Sequence, residues 1–433
     1  MITAAPTALL ALGALAALVI AVIVLRAVPK GAVVAWAVVL FLVPVWVGVS
    51  IGFFWYGITV LTAVLLIVLW AKVPLHPADG WIAAFLVVLS AMFVLKGVTL
   101  SVTVTAVLEW VVPYVWGRII IARVDERWVM RTIAGVAVAA ALLGIIEFST
   151  SFNPWVLIPG PEPLYSTWSE LQPRGGVLRV EGAFGHSIAL GTTLAMSSAF
   201  VIAARWRPAL TMLALSTLTA AVVLTFSRTG LVSLVLTVVL SVLLLPGLSR
   251  RLRAGVVGLG VVAVAVVVPV LDSVLGAAGE EADGSAGYRA DLLVLLRQVD
   301  LFGNAGDWTS LVSGDQYLGY FARSTDNALL SIMLKIGAVP TLLLVAAIIG
   351  AVLMVFRRRG RSPAAIAVVG QLPSLVVVAM ITQYGTFFWF CVGLAIASGT
   401  RTGDRSEDDL GPVRAGREPE NRSRFGPGVS HDR

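Results

Sequence analysis

ARSTDNALLSIMLKIGAVPTLLLVAAIIGAVLMVF, residues 322–356, leaves a polar, acidic segment within six residues and continues as a long apolar run. A helix needs about 20 apolar residues to cross roughly 30 Å of hydrocarbon, so residues 328–356 read as a membrane span. Similar stretches predict spans at 7–25, 32–50, 55–71, 81–98, 102–121, 129–149, 187–204, 208–226, 230–245, 255–271, 363–382 and 386–398. The composition agrees. Hydrophobic residues make up 58%, charged residues 13%, and the mean hydropathy is +0.95, whereas a soluble domain is about 45–50% apolar and about 25% charged. The expected fold is all-α, a polytopic integral membrane bundle of about 12–13 transmembrane helices with one large extracytoplasmic loop containing short helices. The first span lacks a basic leader and a small-residue cleavage site, so it is expected to stay as a helix.

Charge orients this bundle. With thirteen spans, alternate connections collect Arg26 and Lys30, Lys72, Arg118 to Arg131, Arg205 and Arg207, Arg250 to Arg253, and Arg357 to Arg361. The positive-inside rule places that side in the cytoplasm, with the N-terminus outside and the C-terminus inside. The chain's net charge of +7 therefore reports anchoring and gives no support for nucleic-acid binding.

The organisation expected is helices and an ordered outer loop (150–186) over residues 1–271, a large extracytoplasmic loop at 272–327, three helices over 328–398, and a disordered cytoplasmic tail at 399–433. The 272–327 loop sets nine acidic side chains against three arginines, a local charge of −6. The single cysteine, Cys391, lies inside the last span, so neither an intrachain disulfide nor a cysteine metal site is possible. No internal repeat suggests an inverted-repeat transporter.

Ions within or at the ends of spans are costly unless paired or solvated in a cavity, which makes four outer clusters informative. In Arg174 to His186, glycines 182 and 185 allow close backbone approach, and Arg179 and His186 either face an anionic or hydroxyl-bearing ligand or simply pair with Glu181 and sit at the interface. In Thr225-Phe226-Ser227-Arg228-Thr229-Gly230, Arg228 stands beside hydroxyls at a sharp break and is either a phosphate clamp or a snorkelling side chain. In Gly287-Tyr288-Arg289-Ala290-Asp291, Arg289 heads a short segment with apolar residues at 292, 293, 295, 296 and 299, aimed at the bundle or merely solvated. Asp326-Asn327 either caps a helix or contributes to chemistry. Lys96 reads as a snorkelling lysine, and Glu147 as a carboxylate paired with an arginine.

In order along the chain, R-x-E-G-x-F-x-H-x-x-x-L-G at 179–191, T-F-S-R-T-G at 225–230, an arginine-headed helix followed by G-N-x-G at 303–306, and D-N-A-L-L-x-x-x-L-K-I-G at 326–337 resemble the O-antigen ligase and polymerase-like superfamily. The resemblance runs from about residue 147 to 350. It implies a membrane glycosyltransferase in cell-envelope or exopolysaccharide synthesis. Such an enzyme moves a saccharide from a polyprenyl-diphosphate carrier to a glycan or lipid acceptor on the outer face of the membrane, with inversion and without a metal or other cofactor. By the same resemblance Arg179, Arg228 and Arg289 bind the diphosphate, Asn327 helps to bind substrate, and Asp326 with His186 nearby takes the acceptor proton. The family commonly has His-Asn where this chain has Asp326-Asn327. The alternatives are a transporter or flippase for lipid-linked saccharide, or a non-catalytic envelope-assembly partner. The overwhelmingly Ala, Val and Leu spans, with charges at one face, favour the enzyme, while Gln371 and Gln383 keep a transport path open.

Overall fold

The computed structural model describes residues 19–174, 176–277, 292–306, 312–313, 316–317, 326–357 and 360–408. It is mostly helical, and its strands form only three two-stranded hairpins among the described residues. Helices α1 (Val19–Ala27) and α2 (Pro29–Leu42) meet at a 115° bend, where Pro29 removes a backbone donor and starts a new helix. A hairpin, β1 (Gly48–Ile51) and β2 (Phe53–Tyr56), follows and leads to α3 (Gly57–Val68) and α4 (Pro77–Val94). Helices α5 (Leu100–Thr105) and α6 (Val112–Arg123) are joined by a π-helical turn, Ala106–Val111, and α7 (Glu126–Thr150) completes this half.

A long loop then carries the short α8 (Leu164–Trp168) and the β3–β4 hairpin (Pro173–Arg174 and Val177–Leu178). The next helices are α9 (Ser187–Ala203), α10 (Pro208–Leu224), α11 (Arg228–Leu244) and α12 (Arg250–Ala277). Beyond them come a 3-10 segment, Leu292–Gln298, and the β5–β6 hairpin (Val312–Ser313 and Gln316–Tyr317). The chain closes with α13 (Ala328–Ile336), α14 (Ala338–Phe356), α15 (Pro363–Gly370), α16 (Leu372–Leu375) and α17 (Thr382–Asp408).

By length and composition, four helices among the described residues are able to cross a membrane: Pro77–Val94, Leu100–Arg123, Glu126–Thr150 and Ala338–Phe356; the bent α1–α2 pair would make a fifth. The expectation of twelve or thirteen spans is not met on that measure. The expected spans at 187–204, 208–226 and 230–245 appear as helices of 17 residues, which rise only about 26 Å. Their ends lie within two residues of the expected ones. The predicted span at 328–356 is split at Gly337, and the one at 363–382 breaks after Gly370 and again after Leu375. Other boundaries also move: the span expected at 32–50 is helical only to Leu42, and the two strands at 48–51 and 53–56 take its last residues and the first of the span expected at 55–71. Helix α12 runs to Ala277, six residues into the expected acidic loop, and α17 continues to Asp408, well into the expected tail.

Connections rich in basic residues gather at one end. Arg131 donates to the Ala204 carbonyl (2.9 Å), Arg123 to that of Leu69 (3.2 Å), and the Lys30 ammonium lies 5.3 Å from the Trp128 ring. Just inside this end, Asp79 receives both Nε and Nη2 of Arg118 at 2.8 Å and the Tyr114 hydroxyl at 2.6 Å. Arg118 is only 2% exposed, so the fork-to-carboxylate geometry is what makes its burial tolerable. At the opposite end lie the β1–β2 hairpin, the long loop and the 225–227 turn.

The closest helix pair, α6 and α17, approaches through glycine. A Cβ on Gly393 would strike the Tyr114 carbonyl, and one on Gly117 would strike that of Phe390. Small residues let helix backbones touch in a bundle where apolar surface alone does not distinguish neighbours. Gly393→Ala is therefore expected to lower stability by roughly 1–3 kcal/mol through overpacking. Gly80→Ala, which meets nothing within 4 Å, should leave stability unchanged or raise it. Thermal unfolding of the two purified variants in detergent measures the contrast.

Candidate functional site at the end opposite the basic connections

Glu147, near the end of α7, organises this end. Its carboxylate accepts the backbone N–H of Glu181 (3.1 Å), that of Gly182 (2.9 Å) and the Asn153 amide (3.0 Å). These three donors stand where an arginine partner was expected. Asn153 also donates to the Gly182 carbonyl and accepts from Trp155 N, so the loop is tied to the helix at both ends of the Glu147 contact. Gly182 (φ +54°) and Gly185 (φ +61°) provide the left-handed backbone needed for this turn. The loop's own aromatic residues pack into a small second core with Val45, Trp46, Trp155 and Ala183.

Two motifs separated by some forty residues meet here. Arg179 Nε donates to the Thr225 carbonyl at 2.9 Å, and Val180 N donates to that of Leu224 at 3.2 Å. Gly191 and Gly230 let α9 and α11 cross so closely that a Cβ on Gly230 would lie 3.3 Å from the Gly191 backbone. Within the turn, Thr225 ends α10, Phe226 adopts φ +47°, and the Ser227 hydroxyl caps α11 by accepting Gly230 N at 3.0 Å. Arg228 has an exposed side chain at the first position of α11. Its neighbours in the turn build the structure and leave its guanidinium on the surface.

His186 is the N-cap of α9. Its Nδ1 accepts Ile188 N at 3.2 Å, and its ring meets Trp168 edge-on with centroids 6.2 Å apart. Burial first, and the Arg179 charge second, push its pKa down to about 4. The ring is thus neutral near pH 7, with its accepting nitrogen used by the cap and Nε2–H left as a donor. This geometry gives His186 a donor's role and does not leave it free as a base. Glu181 is fully buried, accepts Gln172 N at 3.2 Å, and has no partner for Oε2 among the described residues. Burial raises its pKa to about 7; the Gln172 hydrogen bond and the Arg179 charge partly counter this, while Glu147 adds to it.

Asn327 caps α13, its Oδ1 accepting Leu330 N at 3.0 Å. The same helix start is held by Ala328 N donating to the Val378 carbonyl at 3.0 Å, which places Asp326 and Asn327 beside the break between α16 and α17. That break also reaches the other motifs. Ser374 shares a 2.7 Å hydrogen bond with Ser233 on α11, and Gln383 donates to the carbonyls of Val43 (2.8 Å) and Ala183 (3.5 Å). Arg289 lies outside the described residues. In the segment that follows it, Leu292 and Leu295 are buried while Leu293 and Leu296 are exposed, the i, i+3 pattern of a 3-10 turn. The G-N-x-G stretch pairs with the α13–α14 break: Gly303 N bonds the Ile336 carbonyl, Ala305 N that of Leu334, and Asn304 N that of Gly97.

Next to these residues is a cavity of about 540 Å³, walled by Trp55 and Tyr56 of the hairpin, Trp168 of the loop, Glu109 of the π-helical turn, Lys335 of α13 and Thr382 at the start of α17. Glu109 was missed in the sequence, although a lone carboxylate inside the apolar run at 102–121 is itself a signal. Among the described residues, no three His, Cys, Asp or Glu side chains converge as a metal site. No protein-family model and no curated protein matches this chain.

The two shifted groups predict opposing pH effects. Glu181 binds its proton more tightly when folded, so its contribution to stability is complete below about pH 4.5 and is lost as pH rises to about 7. The unfolded state binds the His186 proton more tightly, so stability rises from about pH 4 to 6.5. Glu181→Gln should remove the fall and expose the rise, gaining up to about 3 kcal/mol on the wild type above pH 7. Unfolding midpoints of both proteins from pH 4 to 8 provide the check.

Proposed function

We propose that the chain is a multi-pass cell-membrane glycosyltransferase of the O-antigen ligase and polymerase-like kind. In this reading twelve or thirteen helices cross the membrane, the basic end faces the cytoplasm, and the Arg179, His186 and Arg228 end faces outward. The observation that carries the reading is the meeting of the 179–191 and 225–230 motifs, with Arg179 bonded to the Thr225 carbonyl and Arg228 exposed at the next helix start. In this reading Arg179 and Arg228, with the positive end of α11, supply the positive charge that a diphosphate needs.

In the transfer step, an acceptor hydroxyl attacks the anomeric carbon of a polyprenyl-diphosphate saccharide. The bond from that carbon to the phosphate oxygen breaks with inversion, and the diphosphate leaves with its lipid. Arg179 and Arg228, joined by Arg289, neutralise the charge growing on the leaving oxygen. Asp326 accepts the hydroxyl proton. His186, with its Nε2–H free, donates a hydrogen bond to an oxygen of either substrate, while Asn327 holds Asp326 in place through the α13 cap. Transport of lipid-linked saccharide is the second reading, favoured by the polar groups on α5–α6 at several depths: Glu109, Tyr114 and the buried Arg118.

Arg228→Ala should abolish glycan transfer at unchanged protein abundance, with polyprenyl-linked saccharide accumulating in the outer leaflet. Accumulation in the cytoplasmic leaflet would support the transporter instead. Wild-type envelope glycan in the Arg228→Ala strain would remove the clamp. Extraction of lipid-linked saccharides from wild-type, deletion and variant cells, with leaflet-selective oxidation of the sugar, distinguishes these outcomes.

A further inference from the structure

Several features of the 540 Å³ cavity mark it as a built site. Its lining combines the aromatic β1–β2 hairpin with the polar groups of Glu109, Lys335 and Thr382. A smaller recess lined by Glu109, Thr382 and Gln383 shares Tyr56, Thr59, Glu109 and Thr382 with it. Gln383 is 2% exposed and its Oε1 has no hydrogen-bond partner among the described residues; the same holds for Thr382 Oγ1. A buried amide oxygen without a donor costs roughly 1–3 kcal/mol, so the recess is incomplete as it stands. Two local distortions adjoin it. Thr382 has φ +51°, in the left-handed region that a β-branched residue avoids. Glu109 sits in a π-helical turn, a form frequently found at functional sites.

The chemistry of the walls identifies the ligand. Trp55, Tyr56 and Trp168 offer aromatic faces and edges suited to the C–H surfaces of a sugar ring. Glu109 and Gln383 Oε1 accept hydrogen bonds, and Thr382 and Lys335 can donate them, which suits a ring carrying several hydroxyls. Lys335 is the one basic side chain in the lining and Glu109 faces it, so an anionic sugar finds no unshared cation there. We propose that this cavity seats an uncharged pyranose unit of the acceptor glycan, stacked on Trp55 and Trp168 with its hydroxyls on Glu109 and Gln383. The assignment rests on the transfer reading for the ligand's role, since the arginine turn lies on the α9–α11 side while the cavity lies on the α3–α5–α13 side, with Trp168 against His186 between them. Donor and acceptor would then reach His186 and Asp326 from different sides.

A thiol at the mouth tests occupancy without relying on activity. The only native cysteine, Cys391, is buried, so Ser101→Cys introduces one reactive thiol on the exposed rim. Fragments of the host's envelope glycan, separated into neutral and acidic pools, serve as probes for the full-length protein in nanodiscs. The neutral pool should slow alkylation of Ser101→Cys at least fivefold, and adding Trp55→Ala or Glu109→Gln should remove that protection. Equal protection by the acidic pool, no protection by either, or protection that survives both substitutions would overturn the assignment.

In membranes, Trp55→Ala should raise the half-saturating acceptor concentration about tenfold while changing that of the lipid-linked donor less than twofold. The reverse pattern would also overturn it. Trp55→Phe should restore most of the loss, separating stacking from a folding defect. If deletion of the whole chain leaves envelope glycan and lipid-linked saccharide unchanged, the transfer reading itself fails; if deletion changes both but Trp55→Ala and Glu109→Gln behave as wild type, only the cavity assignment fails.

Discussion

A backbone N–H or C=O without a partner is too costly to leave inside an apolar bundle, and two of the helix breaks show how this chain meets that constraint. The α13–α14 break at Gly337 is filled by the 300–305 segment, which pairs with residues 334–339 almost as a short strand would. A Cβ on Gly337 would come within 2.8 Å of the Leu301 carbonyl, so only glycine admits the segment. At the α16–α17 break the Val378 carbonyl accepts Ala328 N, and the Gln383 amide just beyond it satisfies the Val43 carbonyl at the end of α2. These pairings connect parts of the chain that hydropathy treats as independent.

The polar chemistry gathers at the same breaks because they supply unpaired groups and open space together. Glu147 shows how far this goes. It spends its carboxylate on two backbone N–H groups and an amide, which fixes the turn carrying Glu181 and Gly182 and, through it, the approach of Arg179 to the α10–α11 turn. His186 is drawn into the same structural service as a helix cap. Arg228 and the residues around the cavity remain as groups whose positions the fold explains but whose side chains it does not consume.

Some of this was legible in the residues. The glycines at 191 and 230 and the serine at 227 stood out in the motifs, and each proved to have a steric or capping task. The ordered outer loop, the short segment after Arg289 and the cap at Asn327 could be anticipated from local pattern. The π-helical turn at 106–111 and the breaks at 371–381 could not, because both lie within apolar runs whose composition is that of a continuous helix. Glu109 was visible as a lone acid, yet nothing nearby in the chain indicates that it faces Lys335 and two tryptophans.

By itself the sequence determined most of the stretches that are helical and apolar, and where along the chain basic and acidic residues cluster. These are properties of each segment and of its transfer out of water. Only the tertiary structure decided where the helices stop, which glycines touch, and which polar groups share a cavity. Those outcomes depend on pairing each broken backbone with a partner from another part of the chain, and that partner is identified by contact in space, which local composition does not encode.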